Sequence, residues 1–262
     1  MKKLALTLAV LLLLVAALSG CSQQSLDTIK QKGEIVMLTN AAFPPFEYID
    51  GSTPVGVDVD VATAIAADLG VTLKVVDMDF DGVIAALTSG KGDFVAAGMS
   101  ITEERKQSVD FSVEYVTSSQ YMILPEGSNL ATMEDLQGKV IGVQLGTTGD
   151  FLIDDAINLE DGELFGSGAE LIQYKTALEA AQNLINGKID AVVIDQYPAM
   201  AIAEKNAGVL RVSGEAIAEA ESYAIAVAKG NTELLEAINN TLKKLIAEGK
   251  VNQFLVDHTT GE

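Results

Sequence analysis

The chain has 262 residues, of which 17 are lysine or arginine and 37 are aspartate or glutamate, so its formal charge is -20 at pH 7. Because phosphate binding depends on clustered basic side chains, this balance excludes nucleic acid as a partner. One cysteine and one histidine leave no disulfide pair and argue against a transition-metal site, so no cofactor is expected.

The first predicted element is a secretory signal over residues 1–20, MKKLALTLAVLLLLVAALSG. Its apolar run is shorter than the about 20 residues of a membrane-spanning helix. Cys21 follows at once, which resembles the lipobox of bacterial lipoproteins, where the cysteine is lipidated. The alternative is an ordinary signal with a chance cysteine. We predict a lipid-anchored leader over residues 21–26, outside the cytoplasm, on the periplasmic or cell-surface face of a bacterial membrane.

The next segments alternate between strand and helix patterns. EIVMLTN (34–40) predicts a buried strand, and the prolines of AAFPPFEY force an extended loop. Apolar residues at every fourth position of VDVDVATAIAADL predict an amphipathic helix that Gly70 ends. VTLKVVDM then predicts a second strand, and Asp81 is expected to cap a further helix. This alternation is typical of an α/β protein.

One pattern occurs twice. SGKGDFVAAG (89–98) and NGKIDAVVID (186–195) each place a Gly-Lys turn after a helix and an aspartate before a buried strand. Helix-to-strand turns commonly use glycine, so the repetition indicates two lobes without showing common descent.

Strand-like crossings join these units. We predict a first lobe from residues 27–115 and 223–262, a second lobe from residues 120–218, and hinge crossings at 116–119 and 219–222. The predicted fold class is therefore α/β, with two lobes and a ligand cleft between them.

Ligands of open α/β sheets bind beyond the carboxyl ends of the strands. Hydroxyls, free amides, one arginine, one aromatic residue and one carboxylate follow the predicted strands, and these are complementary to a zwitterion. An α-carboxylate would bind Arg105, Ser100 and Thr148, whereas an α-ammonium would bind Asp195.

Each of these residues has a plainer alternative. Arg105 could be a solvated helix residue paired with a nearby acid, and Asp195 could cap the following helix. Phe43 could merely pack in its loop. Thr102 is expected to be a helix N-cap, and His258 to be inert in a polar tail.

Five segments together carry a resemblance: AAFPPFEY, GVDVDVATAIAADLG, AAGMSITEERKQSVDFS, GVQLGTTGD and GKIDAVVID. In order and spacing, from about residue 27 to 256, they resemble the polar-amino-acid family of solute-binding proteins of ABC transporters. The resemblance implies a type II periplasmic-binding-protein-like fold, in which two lobes close over one free amino acid and deliver it to the membrane subunits of a permease.

The resemblance also implies roles for single residues. The positions that match Ser100, Arg105 and Thr148 hold the α-carboxylate, and those that match Gly98 and Asp195 hold the α-ammonium. The positions that contact the side chain of the ligand match Phe43, Asn40, Gln144 and Val57.

Two departures bear on the ligand. Val57 stands where many relatives carry an aromatic residue, and Asn40 stands where binders of cationic amino acids often carry an acid. The absence of that acid favours an uncharged polar ligand such as glutamine, although Ile194 occupies a position where a glutamine-specific relative can be polar.

A monomeric binding protein that is not an enzyme is therefore the main prediction. Two alternatives stay open: an enzyme like the cyclohexadienyl dehydratases, which resemble this family, and a sensory module that presents its ligand to a receptor. No Glu, His or Cys occupies 194–196 or 144–149, which counts against the enzyme.

Overall fold

The computed structural model describes residues 25–260. The predicted signal and Cys21 lie outside the described residues. The first elements are α1 (Leu26–Lys32), β1 (Glu34–Thr39), β2 (Ala42–Phe43), β3 (Glu47–Asp50), β4 (Thr53–Val55), α2 (Val57–Leu69), β5 (Thr72–Asp77), a 3-10 turn (Phe80–Gly82), α3 (Val83–Thr88), β6 (Phe94–Val95), α4 (Glu103–Ser108) and β7 (Val109–Phe111). The middle of the chain forms β8 (Val116–Ser118), β9 (Gln120–Pro125), a 3-10 turn (Glu134–Leu136), β10 (Val140–Gln144), α5 (Thr148–Asn158), β11 (Glu170–Tyr174), α6 (Ala177–Ile185), β12 (Ala191–Asp195), α7 (Gln196–Lys205) and β13 (Leu210–Val212). The last elements are β14 (Glu221–Tyr223), β15 (Ala226–Ala228), α8 (Thr232–Ala247) and α9 (Lys250–Thr260).

Two five-stranded sheets form the centres of two α/β lobes. The first has the order β5-β1-β6-β15-β7 and the second the order β11-β10-β12-β9-β13. In the first sheet β1 is parallel to β5 and β6, whereas β15 is antiparallel to β6 and β7. In the second sheet β10 is parallel to β11 and β12, whereas β9 is antiparallel to β12 and β13. The prediction of two α/β lobes is confirmed.

The chain passes between the lobes in two places. It leaves the first sheet after β7 and returns to it at β15, so the second lobe is inserted within the first. Strands β8 and β14 pair antiparallel, with Val116 opposite Tyr223 and Ser118 opposite Glu221. This pair contains part of each predicted crossing. The boundaries at which the lobes move stay predictions.

The repeated pattern has a structural basis in its aspartates. Asp93 accepts the backbone N–H of Val36 in β1 at 2.7 Å, and Asp190 accepts that of Val140 in β10 at 2.8 Å. In both lobes the carboxylate therefore ties the turn to a neighbouring strand and satisfies a backbone donor.

Helix ends follow the sequence signals in most places. The helix α2 ends at Gly70, which has φ 70°, and Thr176 caps α6 by accepting the N–H of Glu179 at 3.1 Å. Asp81 is an exception, because it lies inside the 3-10 turn instead of capping α3. His258 lies in helix α9 and not in a polar tail, and its expected lack of a function stays a prediction. Its Nε2 lies 2.8 Å from Asp60 and its Nδ1 lies 3.1 Å from the Tyr48 hydroxyl, because α9 packs back against α2.

Candidate ligand-binding cleft

A cleft lies between the lobes at the carboxyl ends of parallel strands. Its lining combines residues of both lobes: Asn40, Phe43, Glu47, Phe80, Ala97, Gly98, Ser100, Arg105, Gln144, Thr147, Thr148 and Asp195. The structure thus brings together all the predicted ligand-contacting residues except Val57.

Arg105 lies in this cleft as a buried cation. Its side chain is in α4, which Thr102 caps as predicted by accepting the Arg105 N–H at 3.1 Å. The residue is 7% exposed, so it is not a solvated surface arginine. Its guanidinium donates to the carbonyls of Ser100 at 2.7 Å and Gly146 at 3.0 Å. Among residues 25–260 no carboxylate forms a salt bridge with it. Burial lowers the pKa of Arg105, while the charges of Glu221 and Asp195 raise it.

Hydroxyls from the two lobes flank this arginine. Ser100 is buried and pairs through its backbone with Tyr223 of the crossing strand. Thr148 is the first residue of α5, which follows β10 through a turn that Thr147 caps. Two hydroxyl donors and a guanidinium in one enclosed space can bind a carboxylate.

Asp195 provides the opposite charge. It ends β12, is 3% exposed, and accepts the Tyr223 hydroxyl at 2.6 Å. Although it precedes α7, its side chain does not cap that helix. Burial raises the pKa of Asp195 to about 6, against the lowering effect of the Tyr223 hydrogen bond.

Gly98 contributes a backbone position that no other residue would fit. Its φ is 51°, and a Cβ there would lie 2.6 Å from the ring of Phe43. Its N–H donates to Asp58 at 2.8 Å, so that N–H is not available to a ligand. Phe43 itself is buried with its ring at the cleft.

Asn40 and Gln144 meet across the cleft. The Nε2 of Gln144 donates to the Oδ1 of Asn40 at 3.0 Å, and the amide of Asn40 donates to the Met78 carbonyl at 2.8 Å. The Oε1 of Gln144 is buried without a hydrogen-bond partner in the described part of the chain.

Val57 is placed away from the cleft. Its side chain is fully buried in the first-lobe core at the start of α2. The second aromatic ring of the cleft belongs instead to Phe80, which also lies 5.4 Å from the Arg105 guanidinium carbon.

Glu47 is a cleft residue that was not predicted from the sequence. It begins β3 and lines the cleft with 0% exposure. Its carboxyl group shares a hydrogen bond with that of Asp58. The signal that could have revealed it is an acid inside AAFPPFEY, between two aromatic residues of a buried loop.

Asp58 is the neighbour of Glu47 and was also not predicted. It accepts the Gly98 N–H and the Tyr115 hydroxyl, the latter at 2.7 Å. Burial, followed by the charge of Asp58 and a shared hydrogen bond with it, raises the pKa of Glu47 well above its ordinary value. Burial raises the pKa of Asp58 to about 6. A cation bound next to Glu47 and Asp58 would favour their ionised forms and so lower both pKa values.

Further contacts hold the lobes together around the cleft. Lys175 of the second lobe forms a 2.7 Å ion pair with Asp79 of the first, and the Gly146 backbone approaches Asp81. Together with the Arg105–Gly146 and Asn40–Gln144 contacts, these interactions join the two lobes directly across the cleft.

Two further features concern metals and membranes. Residues 25–260 contain no group of three or more acids, histidines or cysteines placed to hold a metal ion. In that range no helix has both the length and the apolarity that crossing a membrane requires.

Residues 35–259 match the family of bacterial extracellular solute-binding proteins, family 3. The chain belongs to this family. It is 33% identical over 258 residues to the arginine-binding extracellular protein ArtP of Bacillus subtilis (strain 168), covering 96% of this chain and 98% of ArtP.

Solved structures give the same result for the fold. An ancestral arginine-binding protein bound to arginine is 40% identical, with a TM-score of 0.80, covering 86% of this chain and 98% of that chain. An ancestral arginine-binding protein bound to glutamine is 40% identical, with a TM-score of 0.79 and coverages of 88% and 99%. The family resemblance and the type II periplasmic-binding-protein-like fold are confirmed, and these three relatives are binding proteins.

Proposed function

We propose that this chain binds a free cationic L-amino acid, L-arginine, and delivers it to the permease of an ABC importer. The observation that carries the choice of ligand is Glu47, a buried carboxyl group beside Asp58 that lines the same cleft as Arg105 and Asp195. Two buried carboxyl groups side by side favour a cation next to them, so the cleft is complementary to a ligand that supplies one anion and two cations.

The backbone of the amino acid accounts for the predicted residues. Arg105, Ser100 and Thr148 bind the α-carboxylate, and Asp195 with the Gly98 carbonyl binds the α-ammonium. A hydrogen bond to a charged group contributes about 1.5 to 3 kcal/mol, and the enclosed cleft excludes the water that would compete.

For the side chain of the ligand, we propose L-arginine in place of the glutamine expected from the sequence. Glutamine was favoured because Asn40 replaces an acid, but Glu47 supplies an acid to the cleft from β3. The rings of Phe43 and Phe80 provide faces on which a planar guanidinium can stack. The arginine-binding protein ArtP and the ancestral protein bound to arginine support the same choice, whereas the ancestral protein bound to glutamine shows that such a relative also accepts an uncharged side chain.

Closure is the proposed mechanism of capture. Ligand contacts come from both lobes, so a ligand bound to one lobe gains its second set of contacts only when the lobes close. Binding therefore shifts the population toward the closed form. We place the moving segments at the crossings 116–119 and 219–222.

The remaining parts of the proposal concern location. Family members are extracellular, and we propose that Cys21 carries a lipid that tethers this chain to the membrane beside its permease. We propose a monomer in solution. A sensory role would require a separate receptor.

Glu47 is also the residue on which the alternative of a dehydratase-like enzyme would depend. A buried carboxyl group with a raised pKa is suited to act as a general acid, as a dehydratase requires. Turnover of prephenate or arogenate by the purified chain would establish that alternative, whereas we expect none.

The deciding experiment is a thermal-shift panel of the common amino acids on protein freed of bound ligand by unfolding and refolding. At 100 times its dissociation constant, L-arginine should stabilise the fold by about 2.7 kcal/mol. We expect L-arginine to give the largest shift. Silence across the panel would contradict amino-acid binding, and a larger shift with L-glutamine would contradict the cationic ligand alone.

A further inference from the structure

The crossing strand β14 reaches both halves of the candidate ligand site. Glu221 and Tyr223 are two residues apart, so their side chains lie on the same face of the strand. The Tyr223 hydroxyl donates to Asp195 at 2.6 Å, and the Oε1 of Glu221 accepts the Nε2 of Gln120 at 3.2 Å. The crossing therefore contacts the second lobe at two points next to the cleft.

Gln120 links the crossing strand to the cleft. It begins β9, is 1% exposed, and donates through Nε2 both to Glu221 and to the hydroxyl oxygen of Thr148 at 3.2 Å. Its side chain also forms a hydrogen bond that lowers the pKa of Asp195, and the L-argininamide probe below, which keeps the ammonium, separates that contact from the one to Thr148. An ionised carboxylate can only accept hydrogen bonds, so Glu221 requires the NH₂ end of the Gln120 amide to face it. That requirement fixes which way the amide lies.

The carbonyl end of this amide is enclosed. The Oε1 of Gln120 is buried without a hydrogen-bond partner in the described range. A Cβ on Gly149 would lie 2.7 Å from this oxygen, so only glycine leaves room for the side chain. The chain thus leaves one buried acceptor unsatisfied and keeps the amide in place, which indicates that the amide has a task at its other end.

That task concerns the proton of Thr148. A threonine hydroxyl has one hydrogen and can accept from other donors. Because the Thr148 oxygen accepts from Gln120, its own hydrogen is left to donate elsewhere, and the side chain lines the cleft.

We infer that Gln120 is a positioning residue: held by Glu221, it orients the Thr148 hydroxyl as a donor to the α-carboxylate of the ligand. This inference rests on the proposed function, because it concerns the carboxylate end of the same site. It assigns to the crossing strand, through Glu221 and Gln120, a part in the specificity for a carboxylate.

The test is a double-mutant cycle in L-arginine affinity, measured by calorimetry. Gln120→Met, which keeps the length of the side chain, should weaken binding about 5- to 10-fold when Thr148 is present. In the Thr148→Val background the same change should cost less than about 2-fold, because no hydroxyl remains to orient. Gln182→Met, the same change on an exposed helix position, is the matched control and should leave affinity unchanged.

A second ligand tests whether the effect depends on the carboxylate, and a second variant is used if Gln120→Met does not fold. Replacing L-arginine with L-argininamide removes the carboxylate, so Gln120→Met should then cost less than about 2-fold. If Gln120→Met does not fold, Glu221→Gln, which releases the amide orientation and keeps the shape, should reproduce the selective loss for L-arginine.

The outcomes separate the two ideas. Equal losses from Gln120→Met in both Thr148 backgrounds, or no loss in either, would overturn the positioning role while leaving amino-acid binding intact. If the unmodified chain binds no amino acid, the proposed function fails first, and this role of Gln120 fails with it.

Discussion

Arg105 and Gly146 are joined across the cleft by a 3.0 Å hydrogen bond from the guanidinium to the backbone carbonyl. The same guanidinium donates to the Ser100 carbonyl on its own lobe. Arg105 is thus a buried arginine that contacts both lobes and forms no salt bridge with the described residues, which supports its proposed part in joining ligand binding to closure.

Arg105→Ala should therefore weaken L-arginine binding by more than about 100-fold, because the α-carboxylate loses its charged partner in a buried site. Calorimetry gives the affinity, and circular dichroism checks the fold. The chain's other arginine is a matched control: Arg211 donates to the carbonyls of Ser128 and Leu130, away from the cleft. Arg211→Ala should cost stability and leave affinity unchanged. Loss of less than a few-fold in Arg105→Ala would place the carboxylate elsewhere.

Glu47→Gln should remove the preference for a positive side chain. L-Citrulline has nearly the shape of L-arginine without its charge, so the ratio of the two affinities isolates the role of Glu47. We expect the unmodified chain to prefer L-arginine and the variant to lose at least about 10-fold in that ratio. Glu103→Gln changes a side chain that is 89% exposed and is the control. An unchanged ratio in Glu47→Gln would remove Glu47 from the cation site.

Asp195 should reduce the stability of the ligand-free protein at neutral pH. Its pKa of about 6 in the folded state lies above the value near 3.9 of an unfolded chain. The Asp195 carboxyl group therefore binds its proton more tightly in the folded state than in the unfolded chain. The stability that this proton adds is fully present below pH about 4 and is lost as pH rises through about 6. Asp195→Asn should therefore stabilise the ligand-free protein at pH 7 to 8, by on the order of 1 to 3 kcal/mol, with no gain at pH 4.

Urea unfolding at several pH values measures this effect. Asp135→Asn is the control of opposite sign, because backbone N–H groups of Thr132 and Ala131 lower the pKa of Asp135, and its replacement should destabilise the protein at pH 7. A stability gain in Asp195→Asn that is the same at every pH would contradict the argument. Since an ammonium requires the ionised carboxylate, L-arginine affinity should also fall below pH about 6 in the unmodified protein.

The ion pair between Lys175 and Asp79 should slow ligand release. It joins the lobes at 2.7 Å, but both side chains are exposed, so we expect an effect of only about 0.2 to 1 kcal/mol. Lys175→Ala should raise the dissociation rate of L-arginine by up to about 5-fold at low salt, with less effect at high salt. Stopped-flow fluorescence with a competing ligand measures this rate. Lys106→Ala breaks the Lys106–Glu103 pair within one lobe and should not change it. A similar rise in both variants would show that the interlobe pair has no special role.

Much of the architecture could be predicted from local sequence. The spacing of apolar residues and the glycine at position 70 predicted α2, and Thr102 was predicted to be a cap that the structure contains. These features follow from neighbours a few residues apart, so the sequence carries them directly. The two Gly-Lys turns indicated two lobes for the same reason.

The charges of the cleft were predicted incompletely. Arg105 and Asp195 were placed because each follows a buried strand, yet their burial and partners were left open. Glu47 was missed because it begins a short strand after a proline loop, and a single acid there has no periodic pattern. The expectation of glutamine depended on Asn40 alone, and the chain supplies an acid from another element.

The sequence by itself determined the family, the order of strands and helices, and most of the residues that line the cleft. Only the tertiary structure decided which of them lack partners within the described chain, and that Phe80 lies in the cleft whereas Val57 lies in the core. The reason is physical: a residue's type and neighbours are local, but its burial and its hydrogen-bond partners depend on segments that are distant in sequence. The link from Glu221 through Gln120 to Thr148 spans 101 and 28 residues of chain, so no local pattern could have predicted it.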